Sequence, residues 1–393
     1  MSKTKTSSSS RVTFLDGVRG WASLVVLIGH LSYVAILSTP ILEFNKDRLL
    51  IDIASYDILG FLSFVLVRFL TDGHLAVLVF FVLSGYALSI SHLNFKKRNI
   101  PVALASRYFR LMIPVLFTSL IIYLLLRLGL FSNLELIIPE GTSGLLTSIY
   151  TFDANFIHFI KFSLIDVWTN HVNSDSYNIV LWTMKVELIG SFLIYGFLLA
   201  FRRNEHTNWI AAILITIILI LIRPLYAAFM LGYLLAELNK KFHSEDIKNY
   251  FNPALIEYSI LCIFIILILF AAFFRGNDHI TLLYASLIVY VVSYSVNLGR
   301  FFSNKISHFL GLISFPLYLV QIPIICSWSS YLNLKLTFLE FDPISSMILN
   351  LISTLFLCIV AASLLIPLEN IAIKYSKIIG QFLVSILLNH TKY

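Results

Sequence analysis

The sequence predicts an all-α membrane protein, a polytopic bundle of about ten transmembrane helices with both termini cytoplasmic. Three observations carry this reading. Of 393 residues, 59% are hydrophobic and 12% charged, and the mean hydropathy is +0.88; soluble domains carry about 25% charged residues. The apolar residues recur in runs of about 20, the length that crosses a hydrocarbon core of roughly 30 Å. The basic residues fall mostly on one side of the membrane that those runs define.

In chain order, residues 1–12 begin MSKTKTSSSS and read as a disordered polar tail. They lack the apolar core and small-residue cleavage site of a signal peptide. A transmembrane domain follows over 13–375, and 376–393 reads as a cytoplasmic tail. Spans are expected near 14–37, 73–92, 111–130, 179–200, 207–222, 224–238, 255–274, 279–297, 309–329 and 344–366. The fifth and sixth are short and meet at Arg223 and Pro224. Two long connections, 38–72 and 131–178, fall outside. The first contains DILGFLSFVLVRFL, too short to span, which reads as interfacial or re-entrant. The second is polar, carries Asp153, Asp166, His171 and Asp175, and has a length typical of functional or disordered loops.

Charge tests the orientation. With the N-terminus inside, the cytoplasmic pieces hold 18 of the 28 basic residues and the outer pieces seven, while Arg19, Arg127 and Lys185 lie in or at the ends of spans. This accounts for the net charge of +7 without a nucleic-acid partner. Cys262, Cys326 and Cys358 sit singly in apolar runs and read as small hydrophobes. The histidines lack ligand spacing, so no metal is implied.

The first span, LDGVRGWASLVVLIGH, holds Asp16, Arg19 and His30. An ionised group at a helix centre costs about 2.5–3.5 kcal/mol on insertion scales, so three in one span need a reason. Arg19 and His30 are eleven residues apart, which returns to within about 20° of the same helical face, and Asp16 shares that face with Arg19. Along the axis Arg19 and His30 are separated by roughly 16–17 Å. Asp16 and Arg19 therefore sit near the cytoplasmic boundary, and His30 lies past the midplane.

Arg107 and Arg110, in ASRYFRLMIP, add two guanidinium groups at the level of Arg19. Such a cluster suits phosphates, which arginine binds bidentately. Further out, LWTMKVELIGSFLIY brings Trp182 and Glu187, and FFVLSGYALS brings Ser84 and Tyr86. A ligand with a phosphate head and a long reactive arm, such as coenzyme A, fits that order. Plainer readings stand beside this one. His30 could be a satisfied core histidine, Arg107 and Arg110 positive-inside anchors, and Glu187 a partner of Lys185 or Arg127. Ser84 and Gly85 could serve close helix packing. Tyr86 and Trp182 look too deep for the aromatic belt, and His171 reads as a solvated loop residue.

Taken together these segments resemble the acyltransferase 3 family. LDGVRGWASLVVLIGH resembles its opening signature, an Arg and a His with ten residues between them. GHLAVLVFFVLSGYALS, RYFRLMIP, LWTMKVE, ISFPLYLVQIPI and IPLENIAIKY resemble later elements in the family's order. The resemblance implies a ten-span plasma-membrane enzyme that moves an acyl group, usually acetyl, from cytoplasmic acyl-CoA to a hydroxyl. The acceptor would be a sugar, cell-surface glycan or lipid-linked saccharide, or a macrolide-like small molecule. It makes His30 the base or acyl relay with Glu187, and Arg19, Arg107 and Arg110 the donor contacts. Trp182 becomes a site residue with them, and the depth argument adds Asp16, Ser84 and Tyr86 as supporting residues. One departure stands out: Gln321 occupies the position where the late element usually ends in His. A transporter or flippase for an anionic amphiphile is the alternative, although no inverted repeat is visible. A non-catalytic sensor is a further one.

Overall fold

A computed structural model describes residues 10–38, 58–93, 100–136, 146–201, 205–242 and 253–390. Residues 1–9 of the expected N-terminal tail, most of the first long outer connection (39–57) and part of the second (137–145) lie outside the described residues.

The chain is an all-α polytopic helix bundle, with no strand among the described residues. Helices of seven residues or more are α1 (Ser10–Ser38), α2 (Ile58–Leu70), α3 (Gly73–Leu93), α4 (Ile100–Arg127), α5 (Trp182–Ala200), α6 (Glu205–Ile222) and α7 (Pro224–Phe242). They continue with α8 (Pro253–Phe273), α9 (Asp278–Tyr294), α10 (Val296–Phe302), α11 (Lys305–Ile324), α12 (Ser330–Phe338), α13 (Pro343–Leu364) and α14 (Ile366–His390). Every apolar run read as a span forms a helix. Among the described residues, six helical stretches are long and apolar enough to cross a membrane, and the bent pair α9–α10 makes a seventh. The expected fifth and seventh spans are shorter apolar helices, Asn208–Ile222 and Glu257–Phe273. The sixth, α7, is set in the middle of the bundle: Ala227, Ala228, Phe229, Met230 and Ala236 are fully buried. Residues 376–390, expected as a tail, continue α14, which lies along α4.

Two glycine crossings position the site. α1 and α11 run parallel and touch backbone to backbone. A Cβ at Gly20 would meet the Gly311 nitrogen at 2.5 Å, and one at Gly311 would meet the Asp16 carbonyl at 2.5 Å. Trp21 Nε1 donates to Ser307 Oγ across the same seam (3.0 Å). α3 and α7 meet likewise, Gly85 against the Phe229 carbonyl and Gly232 against that of Val82. Small residues allow this approach in a bundle where lipid offers no hydrophobic drive between helices.

Helix ends are fixed locally. Asn277 caps α9, Ser295 caps α10, Asn304 caps α11 and Asp342 caps α13, each side chain accepting an N–H from the first turn. At Ser295 the chain turns by 98°. The Glu257 carboxylate holds the turned end, accepting from Val296 N (3.0 Å) and Asn297 N (2.9 Å), where the helix dipole favours an anion.

α11 carries two internal prolines, Pro316 and Pro323. A proline lacks the N–H that would bond the carbonyl four residues back, so Pro323 frees the Leu319 carbonyl. The buried Asn178 side chain donates to that oxygen through Nδ2 (2.8 Å). A π-helical turn, Ile325–Ser329, follows α11; such turns recur near functional sites.

Candidate functional site

One cavity opens between α1, α3, α4, α5, α11 and α14. Its wall includes Arg19, Arg107, Arg110, Ser84, Glu187 and Tyr318. The three arginines placed at one level by the sequence thus converge on one space. Arg110 is solvent-accessible on this wall, while Arg107 is buried.

Arg107 is the most tightly held of the three. Its Nε donates to Ser191 Oγ (2.8 Å), and its NH2 pairs with Glu187 Oε1. Ser84 Oγ donates to the same carboxylate oxygen (2.9 Å), and Ser191 Oγ donates to the Glu187 carbonyl (2.6 Å). Glu187 therefore partners Arg107 and Ser84 rather than His30, and not Lys185, which donates to the Thr169 carbonyl. Helical spacing puts Glu187 and Ser191 on one face of α5 four residues apart, so one turn presents an acceptor for each end of the guanidinium.

Glu369, at the start of α14, faces the other two arginines across the cavity. The Arg19 Nε is buried with no hydrogen-bond partner among the described residues. A buried guanidinium donor of this kind normally finds an acceptor. Three arginines against two carboxylates leave the cavity wall with surplus positive charge, which favours a polyanion.

His30 stands apart from this cavity. α1 is one continuous helix from Ser10 to Ser38, so His30 lies three turns further along than Arg19. His30 Nδ1 meets Gln321 Oε1 at 3.2 Å. Gln321 Nε2 donates to the Tyr318 carbonyl (3.1 Å), and Gln321 is fully buried. Tyr318 links the two regions. Its side chain belongs to the cavity wall, its OH donates to the Val180 carbonyl (2.8 Å) and it lies 2.9 Å from Thr183 Oγ1. Ser314, Tyr318 and Gln321 follow one another along one face of α11, at steps of four and three residues.

The remaining expected residues are more peripheral. Asp16 lies at the α1–α11 crossing and makes no ion pair with Arg19 among the described residues. Tyr86 is buried in the core and does not line the cavity, and Trp182 packs half-buried against that core. Gly85 serves close packing, as its crossing with Phe229 shows.

Sequence reading did not single out Thr183, Ser191 and Asn178 as site residues. Ser314, Tyr318 and Glu369 lie in ISFPLYLVQIPI and IPLENIAIKY, segments to which the sequence alone assigns no place in the site. His171 is half-buried rather than a solvated loop residue: its Nε2 lies 3.0 Å from Ser176 Oγ and 3.4 Å from the Asn178 carbonyl, and its ring packs on Phe162. Burial holds this imidazole below the ordinary histidine value, with the Asn178 carbonyl pulling the other way.

A family model described as an acyltransferase domain matches residues 12–363. No curated protein and no solved structure matches the chain significantly.

Proposed function

The chain belongs to the acyltransferase 3 family, and from that premise we propose that it is a plasma-membrane O-acyltransferase. It takes an acyl group, acetyl in the first instance, from cytoplasmic acyl-CoA and places it on a hydroxyl of a sugar, cell-surface glycan or lipid-linked saccharide. The observation that carries this reading is the convergence of Arg19, Arg107 and Arg110 on one cavity, whose wall residue Tyr318 is linked by hydrogen bonds through Gln321 to His30.

The arginines hold the phosphates of the donor, Arg19 through its Nε, which has no partner among the described residues, and Arg110 from the cavity wall. Arg107, already paired with Glu187, fixes the shape of that end and shares its remaining donors. The pantetheine arm runs along α11 past Ser314 and Tyr318. At the His30 end the acceptor hydroxyl loses its proton to the imidazole as its oxygen attacks the thioester carbonyl. The C–S bond breaks, and the imidazolium returns the proton to the departing thiolate. Glu187 acts at a distance, by keeping Arg107 and Ser84 in place, and not as the partner of His30.

The test uses membranes carrying the chain and labelled acetyl-CoA, with label followed into glycan, lipid and small-molecule fractions. Wild type is expected to transfer label, His30→Ala to transfer none while still binding CoA, and Arg19→Gln or Arg110→Gln to raise the donor KM. Equal transfer by wild type and His30→Ala would remove His30 from the chemistry. CoA binding unchanged in both arginine variants would remove the donor assignment.

A further inference from the structure

We propose that Gln321 is a positioning residue for the transfer reaction: it holds His30 as the Nδ1–H tautomer and reserves Nε2 as the proton-accepting nitrogen. The inference rests on the reading of His30 as the base, and it adds how that base is set.

Gln321 is fully buried, and both ends of its amide are engaged. The Nε2 amide group donates to the Tyr318 carbonyl at 3.1 Å, and the Oε1 atom faces His30 Nδ1 at 3.2 Å. Turning the amide over would set Oε1 against the Tyr318 carbonyl, two acceptors face to face, so the backbone of α11 decides which end His30 meets. An amide oxygen only accepts. The proton of that bond therefore lies on His30 Nδ1, and in a neutral imidazole the other nitrogen then carries the lone pair.

The surroundings of Gln321 keep it there. The Tyr318 hydroxyl is committed to the Val180 carbonyl and Thr183, and the parallel α1–α11 seam at Gly20 and Gly311 sets the two helices in register three turns below. None of the charged groups on neighbouring elements bonds the His30 ring among the described residues; Arg68 of α2 lies over the Phe64 ring, 5.5 Å from its centroid. Asp72, at the start of α3, pairs with Arg275 (3.3 Å), and His74 pairs with Asp278 (3.0 Å). On the other side of His30's own backbone, Gly29 faces the Thr71 carbonyl. Gln321 is thus the one hydrogen-bond partner of the His30 ring among the described residues. It does not titrate, so the tautomer is held without an ion pair that would raise the proton affinity of the ring.

The experiment combines kinetics with a direct reading of the ring. In 15N-histidine-labelled protein, with His30 identified by its loss in His30→Gln, Nδ1 is expected at the protonated and Nε2 at the unprotonated nitrogen shift. The reverse assignment overturns the proposal. For transfer from labelled acetyl-CoA, Gln321→Leu is expected to lower kcat roughly 10- to 100-fold with the donor KM unchanged. In Gln321→Glu the carboxylate stabilises the imidazolium, so the base becomes protonated at a higher pH and the acid limb of the kcat profile moves up by about 1–2 units. An unmoved limb in Gln321→Glu together with full kcat in Gln321→Leu overturns the proposal. Full activity in His30→Ala would instead sink the base reading, whatever Gln321 does.

Discussion

Arg107 shows what a single ionised residue needs inside this bundle. Two of its guanidinium nitrogens are spoken for, by Ser191 and by Glu187, and Ser84 completes the carboxylate's shell. The two side chains are 10% and 13% exposed, so removing one strands the other in a poorly hydrated place. Breaking such a pair costs roughly 3–5 kcal/mol. Arg107→Ala is therefore expected to lower the thermal midpoint clearly in detergent, and the double variant with Glu187→Gln to recover part of that loss. Losses that simply add in the double variant would show that the pair is not coupled. At this scale the ionised residues were legible, because each is costly in an apolar run and so announces itself. Ser191 and Thr183 were not, because hydroxyls in apolar helices usually satisfy themselves on their own backbone. Ser191 itself bonds the carbonyl four residues back, and only the fold shows that it also receives Arg107.

Helices as elements were the most readable part of the chain, since apolar length and helical period needed no partner to be recognised. Their seams were not readable. A glycine in a span signals close approach without naming the helix that approaches, and Gly20 and Gly311 become a pair only once α1 and α11 are seen side by side. Gly311→Ala places a methyl group 2.5 Å from the Asp16 carbonyl, and overpacking of this kind costs about 1–3 kcal/mol. It should lower the thermal midpoint and transfer activity together, whereas Gly196→Ala, with open space around it, should leave both unchanged. The segment leading into α5 adds a pH dependence. The folded state holds His171 below its ordinary value, so between the two values the unfolded chain binds the proton and the folded one does not. Stability of this segment is thus full above about pH 6.5, the ordinary histidine value, and is lost as the pH falls below it. Protection from hydrogen exchange over residues 170–181, corrected for the intrinsic pH dependence of exchange, should fall between pH 7.5 and 5.5 in wild type, and His171→Gln should flatten that response.

For the whole molecule, the uneven distribution of lysine and arginine sets a direction that the helix bundle alone does not. The connection between α10 and α11, at Asn304, should face the cytoplasm, and that between α8 and α9, at Gly276, should face outward. In a background without native cysteines, an impermeant thiol reagent should label Gly276→Cys on intact cells and Asn304→Cys only after the membrane is opened. The opposite pattern would invert the molecule and move the arginine cavity to the outer face. Depth along the spans was readable because α1 is continuous, so eleven residues translate into a fixed rise. The identity of neighbours at a given depth was not readable: the expectation joined Glu187 to His30 on depth, and the lateral order of α5, α3 and α4 gave Glu187 to Arg107 instead.

Pro323 gives the outer segment an attachment point that an ordinary helix would have closed. The Leu319 carbonyl is free for Asn178 only because the residue four positions on has no N–H to offer. Restoring that N–H, by Pro323→Ala, would do more than straighten α11. It would make the helix share with its own docked segment an oxygen that Asn178 now holds alone, and weaken the Asn178 latch. Val180, bonded to Tyr318 two residues further on, would then be tethered from one side only. The segment around Asn178 and Val180 would change its stiffness through a proline that does not line the arginine cavity.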